Sequence, residues 1–188
     1  KLLINTPWPI IIMVIALLAW IGSRSLLLVA GTIISFLVIG YFGMWKDTMA
    51  TMAIITVATL VCIALGIPFG ILMARSNRVQ ATILPILDMM QTIPSFVYLI
   101  PIIMLLGIGK VPGLIAVCIY ALPPIVRLTN LGIREVDKEA LEAIDSFGAT
   151  TWQRLTKVQI PLALPTIFAG VNQTIMMALA MVVIASMI

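Results

Sequence analysis

Six apolar stretches dominate the chain: residues 7–22, 25–44, 48–74, 81–108, 111–130 and 162–188. A helix needs about 20 apolar residues to cross the hydrocarbon core of a bilayer. By that measure the first stretch is short, while the third and fourth are long enough to tilt or to include interfacial turns. Within hydrocarbon every backbone N–H and C=O must find an internal partner, which an open sheet edge cannot supply. The expected fold is therefore all-α, a polytopic membrane helix bundle of about six spans. Composition excludes the alternatives. Of 188 residues, 62% are hydrophobic and 10% charged, whereas a soluble domain carries about 25% charged residues. Too little polar surface remains for a water-soluble globule, and too much apolar surface for a disordered chain.

The chain has no histidine, which removes the commonest general base, proton relay and metal ligand. Cys62 and Cys118 each sit in an apolar run far from any second thiol in sequence. They read as packing residues rather than a disulfide or metal site, and no metal site is expected. The net charge is +4, but the basic residues are grouped as membrane topology requires, so no nucleic-acid surface is expected. If the loops alternate, one side collects Arg24, Arg75, Arg78, Arg127, Arg134, Lys138, Arg154 and Lys157, eight of the eleven basic residues, and the other has Lys1, Lys46 and Lys110. By the positive-inside rule the first side is cytoplasmic and the amino end lies outside. The chain starts at Lys1 and stops at Ile188 within an apolar run. The expectation is a single transmembrane domain over 1–188, truncated at both ends.

Pro85, Pro94 and Pro101 punctuate the fourth run, and each deletes a backbone hydrogen bond and bends or breaks a helix. They are either packing kinks or the mark of a segment lining a translocation path. Asp88, Gln91 and Thr92 beside them favour the path, because intramembrane polar groups are expensive. Tyr98 belongs to the same segment, and the same logic selects Asn172 and Gln173, with Thr174, in the last run. Asp88 either favours a cation in the path or caps a broken helix. Phe96, Tyr98 and Tyr120 are isolated aromatics that form no clear cage for a quaternary ammonium.

Residues 131–161 interrupt the apolar pattern and hold Glu135, Asp137, Glu139, Glu142 and Asp145, five of the seven acids. Residues 138–147 have helical periodicity, with Ala140, Leu141, Ile144 and Phe147 forming an apolar stripe. Gly148 is placed to end that helix in a left-handed cap. Thr150 and Gln153 fit a capping box for a second short helix, which is expected to stop by Pro161. Two short helices joined at a glycine are either a solvated amphipathic hairpin or a docking element for a cytoplasmic partner, to which an exposed Trp152 is suited.

This segment resembles the EAA loop of ABC importer permeases: Glu142-Ala143, then Gly148, then Val158-Gln159-Ile160-Pro161 at the family's spacing. Ile144, Val158 and Ile160 depart from the pattern but keep apolar character. Asp88–Pro101, Gly107–Gly113, Ala121–Thr129, Ala169–Thr174 and Met181–Ile188 are similar to the quaternary-amine permeases, the membrane subunits of glycine betaine, proline betaine and choline uptake systems. The resemblance covers essentially the whole chain. It implies a type I ABC importer permease in a bacterial plasma membrane, paired with a second permease chain as a homodimer. It further implies two cytoplasmic ATPase subunits and an extracytoplasmic substrate-binding protein. Similar proteins continue with a Gly-rich segment and a further helix. The implied coupling residues are Glu139, Glu142, Ala143, Gly148, Trp152 and Pro161. Glu142 would contact the ATPase, Ala143 permit close approach, Gly148 supply the turn and Trp152 anchor the interface. The expected translocation path is Asp88, Gln91, Thr92, Pro94, Tyr98, Asn172 and Gln173.

No Gly-x-x-x-x-Gly-Lys-Ser/Thr phosphate loop occurs in the sequence. The chain is thus expected to be a transport subunit rather than an enzyme, with no cofactor of its own and with ATP and Mg used by the partner ATPase. The expected cargo is glycine betaine or proline betaine, with choline or carnitine as the alternative. An ion-coupled secondary transporter shares the broken helices and midplane polar residues, but has no need of a glycine-hinged hairpin. A membrane-embedded enzyme lacks a nucleophile–base pair here, and a purely structural subunit would carry no ATP-dependent flux.

Overall fold

The computed structural model describes residues 6–186, and every regular element among them is helical. Lys1 and the Met187–Ile188 end of the last apolar run lie outside the described residues. The chain forms two compact units that meet in sequence at Ile54 and Ile55, and each is taken by itself.

In the first unit, α1 (Trp8–Ser23) and α2 (Leu26–Tyr41) pack together as a helical hairpin. The turn is made by Arg24, whose φ of 49° is left-handed and whose N–H bonds to the carbonyl of Trp20 at 2.9 Å. Each helix has 16 residues, about 24 Å at 1.5 Å per residue. That is shorter than the hydrocarbon core. Gly43, at φ 72°, turns the chain into α3 (Trp45–Arg75). The ring of Trp45 meets that of Phe36 edge-on, with centroids 6.2 Å apart. Trp8, Phe36, Tyr41 and Trp45 line an apolar hollow of about 470 Å³.

The second unit holds the rest of α3, then α4 (Asn77–Thr92), α5 (Ser95–Leu106), α6 (Lys110–Arg134), α7 (Lys138–Ser146), α8 (Thr151–Arg154) and α9 (Ile160–Ala185). Its core is built where small residues let backbones approach. A methyl group added at Gly66 would lie 2.3 Å from Ile125, and one at Gly70 2.5 Å from Thr129, so α3 runs directly against α6. Gly132 faces Ala163 and Thr166, and Gly170 faces Ile125 and Leu128, which presses α9 onto the same helix. Ile125, Val126, Thr129, Ala163, Ile167 and Met181 are buried there. Cys62 and Cys118, remote in sequence, meet in this packing. The thiol of Cys62 donates to the carbonyl of Cys118 at 3.5 Å, and both cysteines are free.

Among the described residues, three helices are long and apolar enough to cross a membrane by length and composition: Trp45–Arg75, Lys110–Arg134 and the continuous rod Thr151–Ala185. The fourth apolar run is a bent pair, α4 and α5, meeting at 93°, and the first two runs are the shorter helices of the hairpin. Two expectations change. Of the three prolines in the fourth run only Pro94 breaks the helix, while Pro85 and Pro101 lie inside helices. The second helix of the 131–161 segment does not stop by Pro161 but runs through it into α9. A π-helical turn over Leu155–Gln159 precedes the proline, and the N–H of Ile160 bonds back to the carbonyl of Leu155. A proline ring clashes with the carbonyl four residues earlier and offers no N–H. The wider π turn makes room for the ring at that point without ending the helix.

Candidate functional site

Two sets of polar residues stand out, the hairpin before the last helix and the break in the fourth run. In the hairpin, Asp137 caps α7 by accepting from the N–H of Glu139 at 3.0 Å. The helix ends at Ser146, and Gly148 takes φ 70°, its N–H bonded to the carbonyl of Asp145 at 3.0 Å. Thr150 then starts α8 with both halves of a capping box. Its hydroxyl accepts from the N–H of Gln153 at 3.3 Å, and its own N–H donates to Gln153 Oε1 at 2.8 Å. The Gly148 bend and the capping box match what the sequence predicts. Across the bend, Arg154 Nη1 donates to Asp145 Oδ2 at 2.9 Å.

Glu139, Glu142 and Ala143 share the outward face of α7, at the i, i+3, i+4 spacing that makes helix neighbours. Ala140, Leu141 and Ile144 are half-buried on the other face, where α7 packs on α8 and the π turn. Phe147 does not join them. It follows the last helical residue and is 87% exposed. Trp152 is exposed on the far side of Gly148, and Pro161 is exposed on the rod. The structure thus gathers Glu139, Glu142, Ala143, Gly148 and Trp152 on one hairpin and leaves Pro161 on the helix that carries it.

At the break, Ile93 leaves the helix in an extended conformation and Pro94 precedes the first turn of α5. The last carbonyls of α4 have no helical partners. The carbonyl of Met89 accepts from the Ile93 N–H at 3.1 Å and the Thr92 hydroxyl at 3.0 Å. That of Met90 accepts from the hydroxyl of Tyr98 at 2.7 Å. Tyr98 is not isolated, because its ring meets Tyr120 of α6 edge-on at 6.3 Å. Asp88 is paired with Arg127 of α6 at 2.5 Å. It lies before the break and caps neither helix. Gln91, Thr92 and Pro94 are exposed beside it. Asn172 and Gln173 are exposed on α9 and make no hydrogen bond to the break among the described residues, whereas Thr174 is buried.

Several residues escape the sequence reading. Arg134 binds the ends of three helices: its Nη2 donates to the Met73 carbonyl at 2.9 Å and to Asn77 at 2.8 Å, and its Nε to Asn130 at 3.1 Å. Nothing local in the sequence announces this. The Gly66-x-x-x-Gly70 spacing, by contrast, is a visible signal of close helix contact.

The family described as "Binding-protein-dependent transport system inner membrane component" matches residues 66–188, and the chain belongs to it. It is 55% identical over 188 residues to the glycine betaine/proline betaine transport system permease protein ProW of Escherichia coli (strain K12), covering all of this chain and 53% of that one. It is 47% identical over 184 residues to the glycine betaine/carnitine transport permease protein GbuB of Listeria monocytogenes, covering 97% of this chain and 65% of the relative. The chain therefore spans about half the length of ProW. A crystal structure of an amino acid ABC transporter shares the fold, with a TM-score of 0.57 at 22% identity over 78% of this chain and 75% of that one. The chain is a multi-pass membrane component of that family.

Proposed function

We propose that this chain is the membrane-spanning permease of an ATP-driven importer of glycine betaine or proline betaine. In this reading all of 1–188 belongs to one permease domain, and residues 131–161 form its cytoplasmic coupling loop. The observation that carries it is the hairpin. A helix whose outward face presents Glu139, Glu142 and Ala143 is hinged at a left-handed glycine and clamped to a rod long and apolar enough to cross a membrane. The Asp145–Arg154 pair spans the Gly148 bend, so that force on α7 is passed to the helix that continues into α9. The partners are cytoplasmic ATPase subunits that bind ATP and Mg, an extracytoplasmic binding protein, and a second copy of the permease. In this reading the hairpin side, which carries most of the basic residues, is cytoplasmic and the amino end lies outside. The cargo follows from ProW and GbuB; carnitine, in the printed name of GbuB, is the second candidate.

The test is uptake of labelled glycine betaine, proline betaine and carnitine into proteoliposomes holding the full-length permease and its ATPase, with binding protein supplied outside. Uptake is expected to need both ATP inside and binding protein outside. Flux driven by an ion gradient without ATP would replace this reading with a secondary transporter. Gly148→Asp is expected to abolish substrate-stimulated ATPase and uptake together, because an L side chain at φ 70° is strained and a charge is added at the contact. Retention of both would remove the hairpin from the coupling path.

A further inference from the structure

Asp88 and Arg127 are charged side chains inside apolar helices. Arg127 sits about 10 Å from the Arg134 end of α6 at 1.5 Å per residue, and Asp88 lies one turn before the break that ends α4. Charges at such positions face a water-filled cavity or another protein surface, not lipid. Arginine–carboxylate pairs are frequently forked, with two parallel N–H donors on the two oxygens. This one is not. The side chains remain 35% and 58% exposed, and a single contact, Arg127 Nη2 to Asp88 Oδ1, joins them. Arginine offers five N–H donors, yet Arg127 Nε has no hydrogen-bond partner among the described residues. Around the pair stand the exposed polar groups of Gln91 and Thr92. Tyr120 lies two turns before Arg127 on the same face of α6, and its ring meets Tyr98.

We infer that the Asp88–Arg127 pair is a binding site for a small dipolar solute, with Arg127 taking its carboxylate and Asp88 its quaternary nitrogen. The inference rests on the permease reading above and names the chemistry that the path recognises. A betaine carries the same two charges as the pair, a few ångströms apart, so it can open the pair and satisfy each partner in turn. When the site is empty, Arg127 and Asp88 neutralise each other, and neither is left as a lone charge in the membrane. The same neutrality gives little net attraction to a plain cation. Choline, which keeps the quaternary nitrogen but lacks the carboxylate, has nothing to offer Arg127. The site therefore selects dipolar solutes over cations of the same size, and the tyrosine pair supplies an aromatic wall for the methylated nitrogen.

The test uses the full permease–ATPase complex in nanodiscs without its binding protein, and reads saturation transfer to the N-methyl protons of glycine betaine and of choline at millimolar concentration. Saturable transfer to glycine betaine is expected, with choline weaker by about tenfold or more, as when one charge-assisted hydrogen bond is lost. The double variant Asp88→Asn with Arg127→Gln removes both charges without stranding either, and is expected to lose the betaine signal at an unchanged gel-filtration profile. The comparison of the two solutes needs no substitution, so it decides the matter even if the variant fails to assemble. Equal transfer to choline and betaine, no transfer in a wild-type complex that transports, or full transfer in the double variant would each overturn the site. Wild-type uptake in proteoliposomes judges the permease reading separately. Betaine transfer without ATP-dependent uptake keeps the site and removes that reading.

Discussion

At Gly70 a methyl group has nowhere to go. It would lie 2.5 Å from the Cβ of Thr129 and 2.8 Å from the carbonyl oxygen of Val126, which is backbone and cannot turn aside. Gly22, on α1, has nothing within 4 Å of the same position. The two glycines thus answer the same substitution in opposite ways. Gly70→Ala is expected to cost about 1–3 kcal/mol through overpacking. Gly22→Ala is expected to gain about 0.5–1 kcal/mol, because alanine is the better helix former. Thermal unfolding of the two purified variants in detergent checks the pair, and an equal shift in both would mean that α3 and α6 are not in close contact. The cysteines teach a related point. Sequence distance makes Cys62 and Cys118 look unconnected, and helix packing brings them into contact. The Gly-x-x-x-Gly spacing at 66 and 70, on the helix that holds Cys62, is the feature from which that contact could be anticipated.

The hairpin elements owe their shape to short-range chemistry, which is why they can be read from the sequence. A glycine after a polar helix and a Thr-x-x-Gln start are decided within a few residues. Pro161 cannot be read that way. Whether a proline ends a helix or is absorbed by a π turn depends on the five residues before it and on what packs there; Leu155, which opens the turn, is buried. The Asp145–Arg154 pair is likewise decided by the bend and not by either helix alone. Both side chains are partly exposed, at 45% and 35%, so the pair is worth no more than about 1 kcal/mol to stability. Under the proposed coupling role its effect on transport is expected to exceed its effect on folding. Asp145→Asn is expected to leave the unfolding temperature nearly unchanged while lowering solute imported per ATP hydrolysed, because α7 is then free to tilt about Gly148. Asp145→Arg combined with Arg154→Asp restores the clamp and is expected to recover that ratio. If the exchange leaves it as low as the single variant does, the pair is not what holds the angle.

Across the chain, an all-helical membrane fold follows from composition and run length, and the polar break follows from Pro94 with its neighbours. What joins one helix to another does not follow. Arg127 and Asp88 are 39 residues apart, and Arg134 reaches back 61 residues to Met73. Such pairings are set by how apolar faces and glycines stack, information spread over every helix at once. The break shows how long-range pairing and local chemistry combine. Pro94 stops the hydrogen-bond ladder, and the 93° bend leaves the last carbonyls of α4 without helical partners. Tyr98 closes one of these gaps from the far side of the bend, bonding to Met90 eight residues earlier while its ring rests on Tyr120. Tyr98→Phe keeps the ring and removes the bond. It is expected to cost about 1 kcal/mol, the net worth of a part-buried hydrogen bond. It should also lower uptake in proteoliposomes, since α4 and α5 would lose the contact that fixes their angle beside Asp88 and Arg127. Tyr120→Phe is the control, because it leaves the Met90 bond intact and is expected to keep both stability and uptake. A loss of uptake in Tyr120→Phe equal to that in Tyr98→Phe would mean that the tyrosine hydroxyls act together on the solute rather than through the bend.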